Sequence, residues 1–237
     1  MNLSTILARL ARPVVSPIQF SWPEHFTAED WFADDAVGVP LEVGGHRLTQ
    51  STGRTCGAMV VLVARMLSDS ALRERIELEG PAGAEAEIYA ELRRGALGPL
   101  TWPAAYGSPP WQVAKALTAI AREGGWDVGY TATPVDADTE RGRAILQWIW
   151  HAAGVGLPVP LFTGGELAEG LARAVPRHVV LVMPAADTSP ELSIYDPGSG
   201  SVYRVPIFSM AQRSTPLPAF GHWTRLVWAV LPQPTKE

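Results

Sequence analysis

Cys56 is the only cysteine in the chain. A lone cysteine can form neither an intramolecular disulfide nor a paired-thiol metal or redox site, which leaves a reactive thiol or a buried small hydrophobe. Its neighbours favour the reactive thiol. The stretch CGAMVVLVARML consists of strong helix formers with apolar residues nearly all round, as in a helix buried centrally in a lobe, with Thr52 or Thr55 to cap it. A thiol becomes a good nucleophile when it ionises, and a helix N-terminus favours the thiolate through unpaired N–H groups and the positive end of the helix dipole. Gly57 is expected to let a substrate backbone approach. Six residues upstream, Gln50 stands in TQSTGRT, a polar loop leading into the helix. Its amide donor and the Cys56 N–H can converge on one point, as a tetrahedral oxyanion requires.

A nucleophilic thiol needs a base held rigidly opposite it. His178 begins HVVLVM, a short apolar run rich in β-branched residues that reads as a strand covered on both faces. Asp196 ends the next strand, ELSIYD, and the PGSG turn sends the chain back as SVYRVPIF, a clear hairpin signal. In antiparallel strands the end of one lies beside the start of the previous one, so Asp196 is expected next to His178 as its orienting acceptor. Asp before Pro-Gly is also ordinary turn chemistry, and the two roles can coexist. His222 precedes a strand as well, but no hairpin partner ending in a carboxylate follows it. His25, His46 and His151 lack such context, and no His/carboxylate cluster falls at metal-ligand spacing, so neither a metal nor a cofactor is expected.

Gln, five residues, then Cys-Gly at a helix start, RHVVLV on a strand and IYDPGSG at the end of the next together resemble the papain-like cysteine peptidases. The nearest branch is similar to the bacteriocin-leader-processing peptidases, which cleave after double-glycine leaders. SPPW at a helix start and the closing WTRLVWAV are similar to stretches in proteins of high-GC Gram-positive bacteria. The resemblance spans roughly residues 45–231. It implies a papain-like two-lobe fold with Cys56 as nucleophile, His178 as base, Asp196 as orienter and Gln50 at the oxyanion. One departure is plain, since Cys56 is followed by Gly-Ala-Met and the Cys-Gly-Ser/Ala-Cys-aromatic signature of the papain and cathepsin group is absent.

Several elements must position these residues. Periodicity predicts helices over 83–96, 109–123 and 138–152, the second opening on Pro109-Pro110 and stopping at Gly124-Gly125. Strands are predicted at 126–132 and 224–231, and at 157–163, where prolines demote the segment to an edge or a strand end. Helices first and antiparallel strands second make an α+β protein with segregated layers. Residues 1–45, with a short helix at 3–11 and scattered aromatics, read as an arm packing on a body formed by 46–237. Trp102 and Trp111, clustered with Tyr106 in TWPAAYGSPPW, are candidates for a substrate-binding wall, although aromatics at helix boundaries often serve packing alone.

A net charge of −5 with no long run of Lys and Arg argues against nucleic acid as the partner. No stretch reaches the 18 uninterrupted apolar residues of a membrane helix, and the N-terminus lacks the continuous apolar core of a signal peptide, so a cytoplasmic location is expected. The expected partner is a peptide or amide substrate. Three activities fit: hydrolysis through an acyl-thioester on Cys56, transglutaminase-like acyl transfer to an amine, or a non-catalytic peptide-binding module on the same fold.

Overall fold

The structure, a computed structural model, describes residues 37–165, 176–185, 190–211 and 215–234. The helix expected at 3–11, the aromatics of the arm and His25 lie outside these residues. In chain order the elements are β1 (Val39–Pro40), β2 (Glu42–Val43), β3 (His46–Arg47), α1 (Cys56–Met66), α2 (Ser70–Glu79), α3 (Ala82–Arg93), α4 (Pro110–Glu123), β4 (Val128–Pro134), α5 (Glu140–Gly154), β5 (Val159–Gly164), β6 (His178–Val182), β7 (Glu191–Asp196), β8 (Ser201–Pro206) and β9 (Arg225–Pro234). Seven strands form one sheet in the order β1-β8-β7-β6-β5-β9-β4. Every pairing in it is antiparallel. The chain is therefore an α+β protein.

Strand alternation decides which helix each face of the sheet receives. Val179 and Leu181 of β6, Phe162 of β5, Tyr195 of β7 and Val230 of β9 face the layer made by α1, α3 and α4. Val180, Val182, Leu161, Ile194 and Leu231 point the other way, onto Ile145, Leu146 and Ile149 of α5. Helix α1 is the centre of the first layer, and Ala58 to Ala64 are at most 2% exposed. Burying each large apolar side chain in that run stabilises the fold by about 1.5–3 kcal/mol, which anchors the helix carrying Cys56 against the sheet carrying His178.

The helices are thus not gathered on one side: α5, which interrupts the strands in sequence, covers the second face. β5 is not an edge strand. It lies between β6 and β9, and its prolines are tolerated because Pro160 sits at the strand's start, opposite Leu181 and just before the β5–β9 register begins at Leu161. β1 joins the main sheet through β8, and the boundary expected at 45/46 falls inside the β2–β3 hairpin. Helix α2 was not expected. Its Asp69 cap, accepting from the Leu72 N–H at 2.9 Å, is a readable start signal. Only Ile76 of α2 is buried, however, so an apolar stripe was lacking. Trp111, named above as a candidate for a substrate-binding wall, is 44% exposed and lines a cleft.

Candidate active site

His178 opens β6 and Asp196 closes β7. The register pairs Leu181 with Tyr195 and Val182 with Ile194, and its continuation sets Asp196 diagonal to His178, a separation that side chains can span. His178 Nε2 meets Asp196 Oδ1 at 2.5 Å. The carboxylate is held in turn by the turn that follows it. Gly198 N–H donates to Oδ1 and Ser199 N–H to Oδ2, both at 2.9 Å. Gly221, at φ +64°, lies against the ring, and a Cβ there would stand 2.4 Å from His178 Cδ2. The imidazole is locked from two sides.

With Nε2 committed, Nδ1 is the ring nitrogen left for Cys56, whose thiol lies near enough to favour the protonated ring. Burial opposes charge on the ring, but Asp196 and Cys56 outweigh it and lift the imidazole to about 9. For Asp196 burial likewise opposes charge. Its bonds with His178 and the following turn win, and the carboxyl is held below its ordinary value.

Cys56 is the first residue of α1, 5% exposed, and lines a cleft. Thr55 holds the N-cap position, yet no side chain caps the helix. The Thr55 hydroxyl turns back to donate to the Thr52 carbonyl at 3.1 Å, leaving the first-turn amides of α1 open toward the sulfur. The loop before the helix is tied from elsewhere. Gln50 N–H donates to the Pro197 carbonyl at 2.9 Å, and the Tyr195 hydroxyl to the Leu48 carbonyl at 2.6 Å. Both link the nucleophile loop to the Asp196 hairpin. Ser51 places its N–H 3.0 Å from Glu85 Oε1 and also gives its hydroxyl to that buried carboxylate.

Gln50 and Gly57 depart from expectation. Gln50 Nε2 donates to the Thr52 carbonyl at 2.8 Å, and the residue is not in the cleft lining, so its amide is not aimed at the Cys56 N–H. Gly57 is buried, and a Cβ there would come within 2.6 Å of Ser108 Cβ. Its bareness admits the 107–108 turn rather than a substrate.

The cleft lies between the helical layer and the sheet and encloses about 600 Å³. Cys56 and His178 share it with Trp102, Tyr106 and Trp111 on one wall and Phe162 and Trp228 on the other. Trp102 packs edge-on to Trp111 at 5.2 Å and to Tyr106 at 6.1 Å. Arg93 of α3 fixes this wall, its Nε donating to the Trp102 carbonyl at 2.8 Å. No family model and no curated protein matches the chain.

Reasoning from the sequence missed Glu85, Ser108, Gly221, Arg54 and Arg177. Glu85 sits in a helix pattern that reads as a solvated mixed-charge face, and its burial is a tertiary outcome. Arg54 and Arg177 carry a usable signal, standing two residues before Cys56 and one before His178. His222 is exposed, with φ +65°, and takes no part in the cleft. Among the described residues no group of three or more His, Cys, Asp or Glu side chains is arranged to hold a metal ion, and no helix is long and apolar enough to cross a membrane.

Proposed function

We propose that this protein is a papain-like cysteine hydrolase that cleaves an amide or isopeptide bond through an acyl-thioester on Cys56. The observation that carries the proposal is the line Asp196–His178–Cys56, with the sulfur at an uncapped helix start and an aromatic-walled cleft in front of it. His178 takes the thiol proton at Nδ1, and the resulting thiolate–imidazolium pair is favoured by Asp196 on the far ring nitrogen. The thiolate attacks the substrate carbonyl. The oxyanion is received by the Cys56 N–H and its first-turn neighbours, with Gln50 contributing once its amide leaves Thr52. The imidazolium then protonates the leaving amine, and water, deprotonated by the same ring, releases the acyl group.

The helical layer facing an antiparallel sheet across the cleft supports the two-lobe papain-like description. Water or an amine can serve as the second nucleophile, so transfer and hydrolysis share every earlier step. The decisive experiment incubates wild type and Cys56→Ala with a library of peptide amides and follows product and trapped acyl-enzyme by mass spectrometry. Wild type accumulates an adduct on Cys56, and the alanine variant loses turnover by at least about 10³-fold. Turnover that survives in Cys56→Ala overturns the proposal.

A further inference from the structure

We infer that the cleft selects an acyl group bearing a carboxylate beside an apolar or aromatic side chain. The inference rests on the hydrolase reading, because Cys56 must be the group that meets this substrate.

Charge is the first observation. The chain as a whole is acidic at −5, yet among the described residues no Asp or Glu lines the cleft. The charged residues that line it among those described are Arg54, Arg177 and, when protonated, His178. Arg54 stands two residues before Cys56 and Arg177 one before His178, and both line the cleft that the sulfur and the imidazole share. Neither guanidinium has an acidic partner among the described residues. A cleft of one sign between low-dielectric walls focuses its field on an incoming ion, and guanidinium donors match a carboxylate in shape.

Hydrogen-bond inventory is the second. Ser108 is 6% exposed, and its Oγ is buried without a partner at the helix start, where a Cβ on Gly57 would stand 2.8 Å from it. Trp102 Nε1, which can only donate, is buried without a partner in the same wall. Trp102 Nε1 can only donate and the Ser108 hydroxyl can donate as well as accept, so a ligand rich in acceptors suits both. Trp102, Tyr106, Trp111, Phe162 and Trp228 supply the apolar contact that a small inorganic anion cannot use.

The test compares alkylation of Cys56 by iodoacetate and by iodoacetamide, with glutathione as reference thiol. The expected result is a shift of the iodoacetate-to-iodoacetamide rate ratio by at least about tenfold over glutathione, collapsing in about 0.5 M NaCl. Arg54→Gln and Arg177→Gln, both at exposed side chains, each move the ratio back toward glutathione. A ratio equal to glutathione's, or one unchanged in the two variants, overturns the inference while rapid labelling preserves the hydrolase reading. Labelling of Cys56 no faster than glutathione by either reagent overturns both. Protection then identifies the carboxylate: N-acetyl-Trp-Glu-amide carries it on a side chain, N-acetyl-Trp-Gln at the terminus, and N-acetyl-Trp-Gln-amide not at all. One of the two acids protects at least about tenfold better than the neutral compound, which names the source, and equal protection by all three overturns the inference.

Discussion

On the sheet side of the cleft, Asp196 receives His178 and two backbone N–H groups, all from within the β6–β8 stretch, while Gly221 closes on the ring. On the helix side, the loop before Cys56 closes on itself where Gln50 and Thr55 both donate to the Thr52 carbonyl, and its place is fixed from outside as well. It is held by Glu85, 34 residues away, and by Pro197 and Tyr195 across the cleft. His178 is set by its own hairpin, whereas Cys56 depends on tertiary ties in addition to its local loop bonds. Both sides therefore meet at the Asp196 hairpin, which orients the imidazole and also carries the two residues that tether the Cys56 loop.

The sharpest way to break this asymmetry is Asp196→Asn. It preserves shape but removes the charge that favours the imidazolium, and turnover is expected to fall by about 10²–10⁴-fold, read as kcat on a responsive peptide amide. Structural Asp chemistry alone would move stability and leave kcat nearly intact. Glu85→Ala acts on the opposite side. It strips the acceptor from Ser51 and is expected to cost about 1–3 kcal/mol in urea unfolding, with slower iodoacetamide labelling of Cys56.

A third effect is on the pH dependence of stability. The folded imidazole is lifted to about 9 from 6.5, so between those values the native state keeps a proton that the unfolded chain has lost. The stabilisation from this group is full below 6.5 and is lost as pH rises toward about 9. Urea midpoints measured across that window should fall, and Asp196→Asn should flatten the fall. A midpoint that rises with pH in wild type would contradict the charged pairing.

Much of the base side was legible, because a β-branched run, an alternating strand and Asp-Pro-Gly-Ser-Gly are short-range signals that determine a register by themselves. The diagonal meeting of His178 and Asp196 follows from it. The helix side was legible only in its elements. That α1 is buried on all sides could be read, but Thr55 turning back to Thr52, Gln50 bonding Thr52, and Gly57 serving Ser108 depend on which loops converge there. Helix α2 escaped because one buried residue leaves no stripe, and for β5 the prolines left an edge and a strand end equally open, of which the structure takes the strand end, with Pro160 ahead of the β5–β9 ladder.

By itself the sequence singled out Cys56, His178 and Asp196 and the strands that carry two of them, since these depend on residue type and on periodicities of a few residues. Tertiary structure alone decided what lies between them. The burial of Glu85 and the unpartnered groups of Ser108 and Trp102 arise from segments far apart in the chain packing onto one face of a sheet, and no local spacing encodes that meeting.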